Sequence, residues 1–326
     1  MFTQGMSREE VESVLGEKFT EFYTDEHRPP TDYPPQLFHY TDACGLNGIT
    51  ETGHLWASNV RFLNDPGEPA YAHSILKECV ESVKNGLAEG SWASRVLDGS
   101  WDWFVVAYKN EAVDLYVCCF CEQGDLLSQW RGYGAGGGGY ALGLSTKDLL
   151  SRLPLEQGRF LTPAIYDPQK QRAIAKACIV KRTDVIVESE RVFGPIDTRS
   201  PLAPRLQHKL RQTLLAAFIW LQAQFKHPAF QEEKEWRILQ FVDRKSHIGS
   251  LNFRVSGSRL VPYGELDLRT ASARKGDVGD PDLPLQAVVC GPSLHPDSTK
   301  QVLELLFMRR GYSGVQVDPS QVPFRA

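Results

Sequence analysis

Residues 37–59, LFHYTDACGLNGITETGHLWASN, decide the fold because they pass from strand to helix and back to strand in one short stretch. Residues 37–41 have the composition of a strand, and residues 43–53 predict a short helix that ends at Gly53, since glycine often follows the last turn of a helix. Residues 54–59 predict a second strand. This strand–helix–strand unit favours a compact α+β fold.

Further strands follow this unit along the chain. They are predicted at WFVVAY (103–108), LYVCCF (115–120), EWRILQFV (235–242), LNFRVS (251–256) and AVVCG (287–291), with another near Tyr140. They are short and separated by turn-forming residues, which predicts mostly antiparallel or mixed pairing. The predicted class is α+β with flanking helices.

Two helical segments set the predicted domain organisation. Ser7 followed by Glu10 forms a capping box before an apolar helical pattern, and a Pro-rich stretch comes next. We assign residues 1–35 to this N-terminal helix and lead-in, and residues 36–326 to a single α+β domain. Apolar residues at helical spacing predict a helical insertion around 204–227, which we expect to pack on the sheet.

Composition and charge exclude several classes of protein. Apolar residues make up 42% of the 326 residues and charged residues 23%, as in an ordinary globular protein. Lysine and arginine number 36 and acidic residues 40, a net charge of −4 that gives no overall positive field for coating DNA. The N-terminus has no apolar signal core, and no apolar run is long enough to span a bilayer, so we expect a cytoplasmic protein without membrane contact.

The familiar catalytic and metal-binding signatures are missing from the sequence. There is no phosphate-binding loop, nucleophile elbow or zinc-protease helix. The spacing of Cys118, Cys119 and Cys121 does not suit zinc, so we predict no metal site. The glycines at 134, 136 and 139 resemble a dinucleotide fingerprint, but they precede a strand and do not connect a strand to a helix.

Three separated elements remain as candidates for chemistry. His39 and Thr41 share one face of the first strand, with Tyr40 on the other, because side chains alternate along a strand. Tyr140 directly follows the glycine-rich run 134–139. Glu233 and Glu235 lie two residues apart where a strand is predicted to begin, so we expect them to share a face.

These elements resemble the ADP-ribosyltransferase superfamily, whose members bind NAD in a cleft between two small sheets with a His, a Tyr and a Glu from separate strands. The matching elements are His39-Tyr40-Thr41, Gly138-Gly139-Tyr140-Ala141 and Glu233-x-Glu235. More closely, the order of LFHYTD, FLNDPGE, SQWRGYG, EKEWRI, VVCGP and SQVPFR over residues 36–325 resembles the bacterial family called domain of unknown function 2971.

The resemblance to the transferases implies a role for each candidate. Glu235 would stabilise the cation that forms when the nicotinamide–ribose bond breaks, and Glu233 would orient or deprotonate the nucleophile. His39 would hold ribose hydroxyls, and Tyr140 would stack on nicotinamide. The remaining residues assigned to NAD binding are Tyr40, Thr41, Asn64 and Arg131, the last because a guanidinium matches diphosphate oxygens.

We therefore expect an NAD-consuming enzyme, an ADP-ribosyltransferase or NAD glycohydrolase, with NAD as substrate and a protein or nucleic acid as acceptor. Analogy alone suggests a bacterial toxin or phage-defence effector with an inhibitor or regulatory partner. Two alternatives stay open. One is a non-catalytic module that binds a nucleotide or a partner. The other is a metal-dependent nucleic-acid enzyme that uses Glu233, Glu235 and Asp65.

Overall fold

The computed structural model describes residues 6–63, 67–109, 114–134, 138–153, 158–193, 203–242, 251–256, 258–269 and 283–323. The helices are α1 Arg8–Glu26, α2 Ala43–Thr52, α3 Glu68–Lys84, α4 Trp92–Lys109, α5 Leu127–Tyr133, α6 Thr146–Arg152, α7 Pro168–Phe193, α8 Ala203–Gln224 and α9 Pro296–Arg309. The strands are β1 Gln36–Thr41, β2 His54–Asn59, β3 Asp114–Cys121, β4 Tyr140–Ser145, β5 Arg159–Pro163, β6 Glu235–Val242, β7 Asn252–Ser256, β8 Arg259–Asp267, β9 Leu285–Cys290 and β10 Gln316–Pro319. Two 3₁₀ helices cover Val60–Phe62 and Pro228–Glu233. The chain is α+β, as predicted.

Contacts between residues divide the chain into two compact units. The helical unit comprises Met1–Arg28, Asp65–Val113 and Ile165–Pro228, and the sheet unit comprises Pro29–Asn64, Asp114–Ala164 and Ala229–Ala326. The helical unit thus groups the N-terminal helix with segments from the middle of the chain. The domain boundaries given from the sequence, 1–35 and 36–326, stay a prediction.

The core of the helical unit consists of apolar side chains from its own helices. Leu76, Leu97, Ile179 and Phe218 of α3, α4, α7 and α8 are among its buried residues. The helix predicted around 204–227 is present as α8, which packs on α3, α4 and α7 within the helical unit. Its apolar face is buried against the apolar faces of these neighbouring helices. Its expected packing on the sheet stays a prediction.

One predicted strand is a helix. Residues 103–108, WFVVAY, form the last part of α4. Buried Ala93, Val96, Leu97, Phe104 and Ala107 follow helical spacing along α4, and this periodicity is visible only over its full length. A short β-branched and aromatic run was therefore not sufficient to identify a strand.

The ten strands of the described residues form one mixed sheet. The order is β10-β9-β4-β1-β3-β2-β8-β7, with β6 beside β3 and β5 beside β6. Among these ten described strands, β9 and β10 are the one pair that runs parallel. The resemblance to the ADP-ribosyltransferases implied two small sheets for this chain, but the structure joins the strands into one sheet, because β3 pairs with β1, β2 and β6 at once.

The pairing of β3 creates a fork in the sheet. Strand β6 pairs with β3 along its whole length and so occupies one edge. Strands β1 and β2 must share the other edge: β2 pairs at Tyr116 and Val117, and β1 pairs at Cys121. Between these positions the edge of β3 is covered by neither strand, so β1 and β2 diverge there.

Helix α2 connects the two diverging strands. The carboxylate of Asp42 caps its N-terminus by accepting a hydrogen bond from the amide of Gly45, at 2.7 Å. Gly53, with a φ of 70°, ends it in the left-handed conformation that glycine adopts most readily. This confirms the short helix and its end at Gly53. The two caps fix the distance over which the chain turns from β1 into β2.

Candidate functional site

A cavity of about 580 Å³, which we call the groove, lies where β1 and β2 diverge. Its walls come from β1, α2, β2, β7 and β8, with Val117, Cys118 and Cys119 of β3 between them. Cavities of roughly 300–1,000 Å³ commonly bind small ligands. The groove is thus large enough for a nucleotide-sized molecule.

Aromatic side chains at the groove are left partly exposed. Trp56, Phe62 and Tyr133 all line it, and each exposes at least 39% of its surface. Exposed aromatic rings in a concave site offer faces on which a flat heterocycle can stack. Arg254 and Glu265 add charged groups to the same lining.

His39 lies at the fork itself. Its Nδ1 is 2.9 Å from the carbonyl oxygen of Cys119, which belongs to the stretch of β3 that neither β1 nor β2 covers. A carbonyl oxygen can only accept, so Nδ1 carries the proton and Nε2 is left as an acceptor. Burial lowers the pKa of His39, which keeps the imidazole neutral.

A smaller cavity of about 60 Å³, the carboxylate pocket, adjoins this histidine. Its lining includes Gln129, Glu233 and Glu235. His39, Cys119 and Tyr133 line both the groove and the carboxylate pocket. The structure therefore brings together His39 of β1 and the two late glutamates, but not Tyr140, at this pocket.

Glu235 is the first residue of β6 and is held by an ion pair. Both of its carboxylate oxygens accept hydrogen bonds from Arg237, at 3.0 Å from Nε and 3.0 Å from Nη2. The Glu235 and Arg237 side chains are only 7% and 2% exposed. Sequence reasoning missed Arg237, although its spacing of two residues from Glu235 already predicted a shared strand face.

Glu233 reaches the same pocket from a different element. It ends the second 3₁₀ helix and precedes β6, so the two glutamates do not share a strand face as predicted. Lys234 between them has a φ of +40°, the left-handed conformation that non-glycine residues rarely adopt. This turn, and not strand alternation, places both side chains at one pocket.

Three cysteines of β3 lie near Glu233 and Glu235: half-buried Cys119, which lines the carboxylate pocket, and buried Cys118 and Cys121. The thiol of Cys121 donates to the backbone carbonyl of Glu233 at 2.8 Å. Burial raises the pKa of Cys121 to about 11 and raises the pKa values of Cys118 and Cys119 as well, the latter also through the nearby Glu235 carboxylate. These thiols are thus protonated at neutral pH and act as packing groups.

The aromatic and hydroxyl candidates have separate surroundings. Tyr140 pairs with Thr41 across β4 and β1, but it packs against the apolar core of the sheet unit and lines neither cavity. Tyr40 lines the carboxylate pocket, and its hydroxyl donates to the Gln123 carbonyl and accepts from the amide of Leu126. Thr41 lines the groove.

The two other predicted NAD-binding residues are not found at the cavities. Arg131 is exposed on α5 and lines neither the groove nor the carboxylate pocket. Asn64 lies outside the described residues. The groove contains a different arginine, Arg254 of β7, which sequence reasoning did not select because nothing in LNFRVS distinguishes it from an ordinary strand residue.

The described residues contain no group of three or more His, Cys, Asp or Glu side chains arranged to hold a metal ion. Asp65, which the metal-dependent alternative requires, lies outside the described part of the chain. In the same described part, no helix combines the length and apolar character needed to cross a bilayer.

Comparison with known proteins gives one match. A family model described as a protein of unknown function (DUF2971) matches residues 129–238. The matched stretch runs from α5 into β6 and contains Glu233, Glu235 and Arg237, and it supports the resemblance to this family. Neither the curated proteins nor the solved structures gave a match.

Proposed function

We propose that this chain cleaves NAD at the nicotinamide–ribose bond and passes the ADP-ribosyl group to water or to an acceptor. One observation carries the proposal: His39, Cys119 and Tyr133 line both the groove and the carboxylate pocket. A dinucleotide bound in the groove can therefore present one end to Glu233 and Glu235. Among ligands of that size, NAD has a reactive bond that a carboxylate can help to break.

The reaction needs a negative charge beside the ribose. The C1′–N bond breaks, its electron pair leaves with neutral nicotinamide, and C1′ becomes cationic. Arg237 holds the Glu235 carboxylate in place at the carboxylate pocket, and in the proposal the ribose 2′-hydroxyl donates to this carboxylate. In this role Glu235 orients the ribose and stabilises the cation without forming a covalent bond.

The attacking group completes the reaction. A lone pair of water or of an acceptor forms the new bond to C1′, and the proton released passes to Glu233, which is half-buried at the same pocket. Neutral His39 accepts a ribose hydroxyl at Nε2, since Nδ1 donates to the backbone of β3. Each step uses only side chains that line the two cavities.

Release of nicotinamide from NAD by the purified full chain tests the proposal. We expect the wild type to release it, and Glu233→Gln to slow release by about 10²-fold or more, the usual contribution of a positioned acid–base group. His39→Ala should also slow release, because it removes the acceptor for the ribose hydroxyl. Glu232→Gln, an exposed neighbour in the same 3₁₀ helix, is the matched control and should leave the rate unchanged. Absence of release from the wild type, in water and with protein and nucleic-acid acceptors, would contradict the proposal.

A non-catalytic nucleotide-binding module is the second candidate. It is favoured by the ion pair, because Arg237 already engages both oxygens of Glu235. A thermal shift separates the two functions: a ligand at a hundred times its Kd adds roughly 2.7 kcal/mol of stability whether or not it is cleaved. Stabilisation by NAD without nicotinamide release would select the binding module.

A further inference from the structure

Arg254 is the cation that the structure places inside the groove. It lies on β7 and donates from Nη2 to the hydroxyl of Ser58 on β2, at 3.1 Å. Among the described residues that line the groove it carries the one guanidinium. The bond to Ser58 uses one of five N–H donors, so the planar group keeps donors for an anionic ligand.

Trp56 lies two residues from Ser58 on the same strand. Its ring packs on Tyr263 of β8 with centroids 4.4 Å apart, yet the residue is 49% exposed and lines the groove. Tyr263 therefore supports the indole, while part of its surface stays available to a ligand. Because side chains two residues apart share a strand face, Trp56 and Ser58 are about 7 Å apart along β2.

We propose that this end of the groove binds the adenosine diphosphate part of the substrate, with Trp56 stacking on the base and Arg254 binding the diphosphate. The identity of the ligand rests on the proposed function, whereas the two contacts rest on the geometry. A flat ring followed by an anionic diphosphate matches an aromatic face followed by a guanidinium.

The register of the strands connects this end to the reacting end. Ser58 pairs with Val117, and Cys119, which holds His39, lies two residues further along β3. Because β2 and β3 run antiparallel, Cys119 lies on the same side of this pair as Trp56, so the groove places Trp56 and His39 to one side of Ser58, with Arg254 at Ser58 itself. The acidic residues that line the groove already have partners: Glu265 lies 3.3 Å from Nδ1 of His54, and Asp42 caps α2.

Calorimetric titration of the full chain with ADP and with adenosine tests the proposal. We expect Arg254→Gln to weaken ADP binding at least tenfold and to change adenosine binding less than twofold, because adenosine has no phosphate. Trp56→Ala should weaken both ligands by similar factors. Arg309→Gln, an exposed arginine at the end of α9, is the control and should change neither.

Several results would overturn the proposal. The proposal fails if Arg254→Gln changes the ADP affinity less than twofold, or if it lowers the adenosine affinity as much as the ADP affinity. It also fails if Arg131→Gln, and not Arg254→Gln, lowers the ADP affinity tenfold, or if the wild type does not bind ADP at millimolar concentration. If Arg254→Gln does not fold, Arg254→Lys replaces it and should still lower ADP affinity at least threefold. Nicotinamide release from NAD is measured in parallel. If the wild type cleaves NAD but Arg254→Gln leaves ADP binding unchanged, only this inference is refuted. If ADP binding depends on Arg254 but NAD is not cleaved, only the proposed function is refuted.

Discussion

The buried ion pair between Glu235 and Arg237 gives the sharpest test of the structure. Glu235→Gln removes the negative charge that faces the Arg237 guanidinium, whose side chain is 2% exposed. Removing one partner of a buried pair costs about 3–5 kcal/mol. Glutamine retains one oxygen that can accept one of the two 3.0 Å bonds, so we expect a loss of about 3 kcal/mol.

A double variant separates the ion pair from simple packing. Arg237→Met alone leaves a buried carboxylate and should cost about as much as Glu235→Gln. Glu235→Leu combined with Arg237→Met replaces both charges by apolar groups, and its stability should return to within about 1 kcal/mol of the wild type. Glu232→Gln, on the exposed surface, should stay within about 0.5 kcal/mol.

Hydrogen exchange of the β3 and β6 amides is the suitable assay. The chain has two compact units, so a single global transition does not isolate the sheet unit. Mass spectrometry of peptides from these two paired strands gives the local free energy of opening. The reasoning is refuted if Glu235→Gln lowers that free energy by less than about 1 kcal/mol, or if the double variant is no more stable than Glu235→Gln.

The remaining predictions each use one substitution or one titration. Gly139→Ala should lower the free energy of unfolding by about 1–3 kcal/mol, because the new Cβ would lie 2.5 Å from a backbone oxygen of β1. Gly132→Ala, whose Cβ would have nothing within 4 Å, should instead stabilise α5 by about 0.5–1 kcal/mol. Urea unfolding compares the two variants, and equal effects would contradict the close approach at Gly139. Lys234→Gly should be about 1 kcal/mol more stable than Lys234→Ala because of the positive φ, and the reverse order of their melting temperatures would count against that strain. Burial lowers the pKa of His39, so below about pH 6.5 the unfolded chain binds a proton that the native state does not, and stability should fall as the pH drops through that range. In His39→Asn, which keeps a donor for the β3 carbonyl, the fall should be smaller. A pH profile of unfolding that is the same in this variant as in the wild type would refute the prediction. A thiol reagent should label exposed Cys44 rapidly in the native protein, and rapid labelling of Cys79, Cys118, Cys121, Cys178 or Cys290 in Cys44→Ser would contradict the burial of these five thiols.

Local sequence signals predicted the connections that frame the site. The strand at His39, the helix ending at Gly53 and the strand that begins at His54 all follow from alternation and glycine chemistry within a few residues. Glu233 and Glu235 were selected by resemblance to a family and not by spacing; they line the carboxylate pocket together with His39, whereas Tyr140, selected in the same way, does not. The segment 103–108 shows the limit of such signals, because a short apolar run fits both a strand and a buried helix.

The α+β class and the strand–helix–strand unit follow from the amino-acid sequence alone, because they depend on local dihedral preferences. The folded chain was needed to show that β1 and β2 share one edge of β3, that Arg237 pairs with Glu235, and that Arg254 and not Arg131 lies in the groove. Strand pairing joins residues far apart in the chain, and no local preference specifies which edge a strand will pair with.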